Sequence, residues 1–202
     1  MNQTTSLSAA VALLSERIDA LLLCRKAPVI VALDGRCAAG KSTLAAALAA
    51  QADKRWRVAV FHMDDYFLRP EQRTPERFAT PGENVDHERF YEEIILPLLN
   101  SQPVVYRPYD CRTQSLCEPI HAPQADVVLV EGSYCCHRAL WDAYALRVFL
   151  DVDPRLQTQR ILARNGQAML KRFVGEWIPM EESYHAAQSL RERCDLVIEL
   201  RE

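Results

Sequence analysis

The sequence predicts an α/β protein in three layers, with a five-stranded parallel sheet flanked by helices. Two observations lead to this prediction. Strand-like runs alternate with helical patterns along the chain. Apolar residues within those runs are nearly continuous rather than alternating, which is typical of parallel strands covered on both faces. The length of 202 residues fits one domain.

Hydrophobic periodicity locates the individual elements. The predicted strands lie at 29–34, 57–63, 127–130, 146–152 and 196–200. The predicted helices lie at 7–25, 41–52, 84–100, 137–144, 154–165 and 180–192. The first helix, within residues 1–27, is amphipathic, so we expect it to pack against the body of the domain.

Two proline-rich segments interrupt the alternation of strands and helices. They are residues 68–86 and 101–126, and the second has room for a short hairpin. Long irregular inserts in a compact domain are often substrate-binding elements, so we expect both on the substrate side. The alternative is that they are passive surface loops.

Composition narrows the range of partners and compartments. The net charge is −3 with no basic stripe, so the sequence does not predict a nucleic-acid partner. It contains no apolar run of about 18 residues that could span a membrane, and its first residues make a poor signal peptide. The seven cysteines lack CxxC spacing, which favours reduced thiols in a cytoplasmic protein. Homo-oligomerisation is left open.

The first predicted strand runs into a glycine-rich loop with the spacing of a phosphate-binding motif. The residues are Gly35, Arg36, Cys37, Ala38, Ala39, Gly40, Lys41 and Ser42, followed by Thr43, and they match G-x-x-x-x-G-K-[ST] in full. Glycines permit the tight turn that directs backbone N–H groups at anionic oxygens, and the next helix adds its positive end. Lys41 is expected to reach the β- and γ-phosphates of ATP, and the Ser42 hydroxyl to ligate Mg²⁺. Cys37 could be a reactive thiol, but a loop-packing role is preferred.

Carboxylates follow two other predicted strands. Glu131 ends the third strand, and Asp64 and Asp65 follow the second. Because α/β sheets bind ligands at the carboxyl ends of their strands, Glu131 is expected to hold Mg²⁺ with Ser42, although it could instead cap a loop. A carboxylate near the γ-phosphate could accept a proton from an attacking hydroxyl. The alternative is that the two aspartates only satisfy a turn.

The segments GRCAAGKST, MDDYF, VDHERF, YRPYD and LVEGSY occur in an order and spacing that resemble the uridine kinase and nucleoside kinase family. That family belongs to a group of P-loop kinases with phosphoribulokinase, pantothenate kinase and nicotinamide riboside kinase. The resemblance covers about residues 28–165. It implies a P-loop NTPase fold and ATP- and Mg-dependent phosphorylation of a nucleoside 5′-hydroxyl. Nicotinamide riboside, pantothenate or a sugar phosphate is the alternative acceptor.

The resemblance also implies roles for single residues. Asp64 corresponds to the base for the sugar hydroxyl, close to the metal, and Glu131 to the glutamate near Mg²⁺. Asp86 corresponds to the aspartate that holds ribose hydroxyls, although it would also suit a helix N-cap. Tyr66 and Tyr109 correspond to aromatic residues of the nucleoside pocket. Tyr109 could equally be a hairpin residue that packs on its neighbours.

Two arginines follow the fourth strand. Arg160 and Arg164 stand four residues apart and therefore share one helix face. They resemble the lid arginines that neutralise the transferred phosphoryl group, which predicts a short lid at about 160–175. A solvated surface pair is the alternative. The segment after Arg164 is shorter than the uridine kinase lid, so this region does not predict a pyrimidine acceptor.

Two other classes of protein share a phosphate-binding loop. One is a switch or motor ATPase or GTPase, and the other is a non-catalytic ATP-binding protein. A GTPase would normally read guanine with an NKxD motif, and the sequence contains no Asn-Lys pair. The residues Lys41, Ser42, Asp64 and Glu131 are all intact, which favours a catalyst over a scaffold.

Overall fold

The computed structural model describes residues 2–24, 28–52 and 55–201. Its main sheet has six parallel strands. They are β1 (Asn2–Thr5), β2 (Val29–Gly35), β3 (Val58–His62), β4 (Val127–Glu131), β5 (Leu146–Asp151) and β6 (Leu196–Leu200). Across the sheet they follow the order β1-β6-β5-β2-β4-β3. β2 therefore lies inside the sheet, between β4 and β5. After β3 the chain returns across the sheet through β4, passes β2 and continues to β5 and β6 on its other side.

Helices cover both faces of the sheet. The helices are α1 (Leu7–Cys24), α2 (Lys41–Gln51), α3 (Pro75–Ala79), α4 (His87–Phe90), α5 (Leu96–Leu99), α6 (Pro154–Arg172), α7 (Ile178–Gln188) and α8 (Leu190–Arg193). One apolar core lies between the sheet and α1 with α2. A second core lies on the opposite face, against α4 and α7. This arrangement confirms the predicted three-layer α/β fold with a parallel sheet.

The predicted count of five strands was one too low. The additional strand is β1, which pairs in parallel with β6 at the edge of the sheet. Its sequence, Asn-Gln-Thr-Thr, contains no apolar residue, so hydrophobic periodicity could not detect it. The N-terminal helix follows it, and the predicted last residue of that helix, residue 25, lies outside the described part of the chain.

Two wide π turns lie just before a proline, one within the predicted helix at 84–100 and one between the helices predicted at 154–165 and 180–192. Tyr91–Ile95 precedes Pro97, and Phe173–Trp177 precedes Pro179. Proline has no N–H to donate, and its ring clashes with the carbonyl of the residue four positions earlier. A π turn relieves that conflict without ending the helix. No helix in the described ranges is long and apolar enough to cross a membrane.

The helix predicted at 137–144 is wrong. This segment forms only a short 3-10 turn at Trp141–Ala143. The Arg147 guanidinium donates hydrogen bonds to the carbonyl oxygens of Trp141 and Tyr144 at 2.8–3.1 Å. Because a side chain satisfies these carbonyls, they do not need the backbone partners that a longer helix would supply.

The two inserts have little regular structure. The first contains α3, and the second contains two small antiparallel strand pairs. Val105–Tyr106 pairs with Ile120–His121, and Tyr109–Asp110 pairs with Ser115–Leu116. The expected short hairpin is therefore present, as a nested double pair.

Gly35 gives the first stability prediction. Its φ is +127°, and an added Cβ would lie 2.0 Å from the carbonyl oxygen of Leu150 on the neighbouring strand. Because the backbone of Leu150 would have to move and this φ is strained for alanine, Gly35→Ala should lower the free energy of unfolding by about 3 kcal/mol or more. Urea denaturation would measure this change. Gly175→Ala is the control, because no atom lies within 4 Å of an added Cβ there. Equal stability of the two variants would contradict this account.

Candidate active site

The strand ends at one edge of the sheet bring the predicted site residues together. Gly35 ends β2, His62 ends β3 and Glu131 ends β4. In the strand register Glu131 lies opposite Leu33 on one side and His62 on the other. The phosphate-binding loop leaves the sheet at this same edge, between β2 and α2. This is the position at which parallel α/β sheets bind ligands.

The phosphate-binding loop is a tight turn that ends at the first residue of α2. Ala38 and Gly40 have positive φ values of 59° and 97°. The Ala39 N–H donates to the carbonyl of Arg36 at 3.1 Å, which closes the turn. α2 begins at Lys41, so the positive end of the helix dipole lies beneath the loop.

Lys41 lies against the loop that precedes it. Its Nζ donates hydrogen bonds to the carbonyl oxygens of Gly35 at 2.7 Å and Arg36 at 2.9 Å. A third contact joins Nζ to the Ser133 hydroxyl at 3.2 Å. All three ammonium hydrogens therefore have a partner inside the protein.

Ser42 and Glu131 form the pair expected of a magnesium site. The Ser42 hydroxyl lies 3.1 and 3.0 Å from the two carboxylate oxygens of Glu131. Neighbouring ligands of an octahedral Mg²⁺ stand about 2.9 Å apart, because each bond is about 2.0–2.1 Å long. Both residues offer oxygen, which Mg²⁺ prefers. Their chemistry and spacing therefore fit this ion.

His62 is a further partner of Glu131. Its Nδ1 lies 2.5 Å from Glu131 Oε1, and the ring is half exposed. This hydrogen bond to Glu131 raises the pKa of the His62 imidazole. This hydrogen bond holds one oxygen of the Glu131 carboxylate in place. Carboxylates that bind metals commonly have such a hydrogen-bond partner.

Asp64 and Asp65 lie in the turn that follows β3. Asp64 is exposed to solvent, and desolvation by the surrounding protein raises the pKa of its carboxyl group. Lys41 and His62 oppose this change, while Glu131 and Asp65 add to it. The charges of Lys41 and Glu131 therefore both act on the Asp64 carboxyl group. Desolvation likewise raises the pKa of Asp65.

The remaining loop residues contact other parts of the protein. The Arg36 guanidinium pairs with Asp151 and Glu182, each at 3.0 Å. Burial raises the pKa of the Cys37 thiol to about 12, which favours the packing role over a reactive thiolate. Thr43 is exposed on the first turn of α2.

The predicted acceptor-side residues Tyr66, Asp86 and Tyr109 lie in or beside the Asp64 turn, and all three are buried. The Asp86 N–H donates to the carbonyl of Tyr66 at 2.7 Å, and the strand that begins at Tyr109 packs against the same turn. Asp86 is 2% exposed, and its Oδ1 accepts a hydrogen bond from the N–H of Arg89, which makes it a helix N-cap. Its Oδ2 accepts no hydrogen bond among the described residues but forms ion pairs with Nε of Arg89 at 3.5 Å and Nε of Arg69 at 3.9 Å.

The two tyrosines are buried, and their hydroxyls contact other side chains. Tyr66 is fully buried, and its hydroxyl donates to Glu93 at 3.1 Å. Tyr109 is 4% exposed, and its hydroxyl accepts from Arg73 at 3.1 Å. In this structure Tyr66 supports the turn from the core side, so its contact with an acceptor stays a prediction.

The two arginines of the predicted lid differ in position. Arg160 donates from Nη1 to the carbonyl of Ala38 in the phosphate-binding loop at 3.2 Å. Arg164 is exposed and donates to its neighbour Asn165 at 2.9 Å. α6 breaks at Gly166, whose φ of 77° and ψ of 173° are not helical. This break follows the predicted helix end at residue 165.

Three residues around the loop were missed by the sequence analysis. They are His62, Ser133 and Glu181, whose contacts with Glu131, Lys41 and the backbone of Cys37 are all within 3.2 Å. His62 directly precedes the MDDYF segment, and Ser133 lies within LVEGSY, so both stood beside recognised motifs. Glu181 lies in a helix far along the chain, and no local pattern marks it.

Away from the phosphate-binding loop, Glu83, His87 and His137 lie close together, and side chains of these types can bind a metal ion. The two imidazole rings stack at a centroid distance of 3.9 Å, with planes 17° apart. Nitrogen lone pairs lie in the ring plane, so two nearly parallel stacked rings cannot direct them at one ion. The His87 Nε2 instead forms a 2.9 Å hydrogen bond with Glu83. This group is therefore a packed hydrogen-bonded cluster.

Comparison with known proteins agrees with the fold. No protein-family model matches the chain. The chain is 27% identical to the uridine kinase of Latilactobacillus sakei subsp. sakei over 156 residues, covering 74% of this chain and 72% of that one. A "possible uridine kinase" from Bacillus stearothermophilus superposes with a TM-score of 0.64, at 23% identity, over 92% of this chain and 99% of that chain. D-glycerate 3-kinase from Cryptococcus neoformans var. grubii superposes with a TM-score of 0.63, at 16% identity, over 86% and 88%.

The two solved structures show the shared fold, and the sequence relative adds the type of reaction. The chain is an ATP-dependent small-molecule kinase with a nucleotide-binding P-loop fold. Its relatives are the uridine kinase-like P-loop kinases, which confirms the resemblance found in the sequence.

Proposed function

We propose that the chain transfers the γ-phosphoryl group of ATP, with Mg²⁺, to the 5′-hydroxyl of a nucleoside. The single observation that carries this proposal is the arrangement around Glu131. Its carboxylate contacts Ser42 of the phosphate-binding loop and His62 of β3, and it is electrostatically coupled to Asp64. The phosphate-binding loop, the Ser42–Glu131 pair that would hold Mg²⁺ and the candidate base Asp64 therefore lie at one edge of the sheet.

Each residue near the loop has a distinct role in this proposal. The N–H groups of Arg36, Cys37 and Ala39 already have partners inside the protein, so the backbone N–H groups of residues 38 and 40–43, at the start of α2, bind the phosphates. Ser42 and Glu131 hold Mg²⁺, with Asp64 nearby; when bound, the ion neutralises charge that develops on the phosphoryl oxygens. Lys41 exchanges its carbonyl partners for phosphate oxygens. A loose transfer of this kind needs positioning and charge neutralisation more than covalent chemistry.

Asp64 is the proposed base on the acceptor side. Its carboxylate accepts the proton of the attacking hydroxyl. Asp86 Oδ2 forms ion pairs with two arginines but accepts no hydrogen bond among the described residues, so it suits a second hydroxyl of the acceptor. The inserts at 68–86 and 101–126, which carry Asp86 and Tyr109, form the proposed acceptor side.

Arg160 and Arg164 are the proposed lid cations. Arg160 already contacts the phosphate-binding loop through Ala38, whereas Arg164 is exposed one helical turn further along. Movement of the segment at 160–175 toward bound nucleotide would bring the second guanidinium to the phosphoryl group. Arg164→Ala should therefore lower kcat about 10- to 100-fold. Steady-state kinetics would test this, with Arg17→Ala, an exposed arginine on α1 outside the lid segment, as the control.

The experiment that tests the function is ADP release with a panel of acceptors. The panel holds nucleosides, nicotinamide riboside, pantothenate and pentose phosphates, each with ATP or GTP and with or without Mg²⁺. We expect Mg-dependent ADP release that rises well above the rate with water for a nucleoside. Release that is equally slow with every acceptor would contradict the proposal and favour a switch ATPase or a scaffold.

A further inference from the structure

A buried acidic side chain from α7 contacts the phosphate-binding loop. Glu181 lies in the first turn of that helix and is 5% exposed. Its Oε2 accepts a hydrogen bond from the backbone N–H of Cys37 at 3.0 Å. Its Oε1 accepts one from the Ser133 hydroxyl at 2.5 Å. A buried carboxylate is costly unless its oxygens are hydrogen-bonded, and these two donors meet that need.

Ser133 extends this contact to Lys41. The Ser133 hydroxyl has one hydrogen, which it donates to Glu181. Its oxygen is then available as an acceptor for the Lys41 ammonium, which lies 3.2 Å away. One carboxylate on α7 therefore holds a backbone amide of the loop and, through Ser133, orients the lysine of the same loop.

We propose that Glu181 is a positioning residue for phosphoryl transfer, which holds the phosphate-binding loop and Lys41 in place without contacting the nucleotide. This inference rests on the proposed kinase function. Donors and cations that are held in position before the reaction need no reorganisation as charge develops. Displacement of such a group by about 1 Å can cost about 100-fold in rate.

The neighbouring residue Glu182 provides a matched control. It has the same charge, lies on the same helix and also contacts the loop, but only through an ion pair with the Arg36 guanidinium at 3.0 Å. Its side chain is 41% exposed. Among the loop residues, Glu182 contacts only the Arg36 side chain, by a two-armed ion pair at 3.0 and 3.2 Å, and Arg36 keeps its other ion pair with Asp151. Removal of Glu182 should therefore have a small effect.

The test compares wild type, Glu181→Ala, Glu181→Gln and Glu182→Gln with the acceptor found by ADP release. Glu181→Ala should lower kcat about 10- to 100-fold while the Kd for a non-hydrolysable ATP analogue changes by about threefold or less. Glu181→Gln keeps one acceptor oxygen and should recover part of the loss. Glu182→Gln should stay within about threefold of wild type. Thermal unfolding of each variant identifies any that fails to fold.

A double-mutant cycle with Ser133→Ala tests the route of the effect. If Glu181 acts on Lys41 through Ser133, the double variant should lose about as much kcat as Glu181→Ala alone. Three results would each overturn the inference. They are a Glu181→Ala kcat within about threefold of wild type, single losses that multiply in the double variant, and an equal loss in Glu182→Gln.

A separate measurement distinguishes failure of this inference from failure of the proposed function. If the wild-type chain shows no acceptor-dependent ADP release, that result would contradict the proposed kinase function but not the contact between Glu181 and the loop. The amide proton shift of Cys37 in a ¹⁵N–¹H spectrum reports the contact in either case. A charge-assisted hydrogen bond should move it downfield in wild type and in Glu182→Gln, and Glu181→Ala should remove that shift. An amide shift that is the same in all three proteins would overturn the contact itself.

Discussion

Replacing Asp64 by Asn is expected to lower kcat by about 10²- to 10⁴-fold while nucleotide binding persists. Asparagine has nearly the same shape but cannot accept the proton of the attacking hydroxyl. The Asp64 side chain is open to solvent, so the change should not disturb the core. Rapid-quench measurement of phosphoryl transfer, together with calorimetric titration of an ATP analogue, would separate the two effects.

Asp65→Asn is the matched control for this prediction. Asp65 has the same side chain in the same turn, and its pKa is also raised by desolvation, but Lys41 is not among the groups that act on it. The loss of kcat should therefore be much smaller than for Asp64→Asn. Equal losses in the two variants, or an Asp64→Asn enzyme within a few-fold of wild type, would show that Asp64 is not the base.

Replacing Glu131 by Gln is expected to have the second-largest effect, through the metal. The substitution removes the negative charge that faces Ser42 and that His62 holds in position. Loss of a partner of a metal ligand typically costs about 10- to 100-fold in metal affinity, and loss of a charged ligand should cost at least as much. The Mg²⁺ concentration for half-maximal activity should rise accordingly, and kcat at saturating Mg²⁺ should fall.

Binding of nucleotide without metal provides the internal control for Glu131→Gln. The backbone amides of the phosphate-binding loop and Lys41 are unchanged in this variant, so the metal-free Kd should equal that of wild type or be slightly lower. An unchanged Mg²⁺ dependence would remove Glu131 from the metal site. A large loss of metal-free nucleotide affinity would instead indicate that the substitution distorts the loop.

The sheet and the site were largely predictable because short local patterns encode them. Buried parallel strands are continuous apolar runs, and such strands bind ligands at their carboxyl ends. The phosphate-binding motif therefore locates Ser42, and the apolar run before Glu131 locates its carboxylate at the same edge. Their contact at 3.0–3.1 Å is the direct result of these two local signals.

Other features depend on tertiary contacts that no local pattern records. β1 is polar and lies at the sheet edge, so only its backbone pairing with β6 reveals it. The segment at 137–144 has helical periodicity, but Arg147 satisfies its carbonyls instead. The family resemblance did not indicate that Tyr66 lies in the core with its hydroxyl on Glu93. Glu181 reaches the loop across 144 positions of sequence.

The most direct test of the central claim is identification of the phosphorylated product. Wild type and Asp64→Asn would be incubated with γ-labelled ATP, Mg²⁺ and the acceptor panel, and the products separated and analysed by mass spectrometry. We predict that wild type moves the label to a hydroxyl of one acceptor, in step with ADP formation, and that Asp64→Asn does so far more slowly. Label that appears only as inorganic phosphate, whichever acceptor is present, would contradict the assignment as a small-molecule kinase.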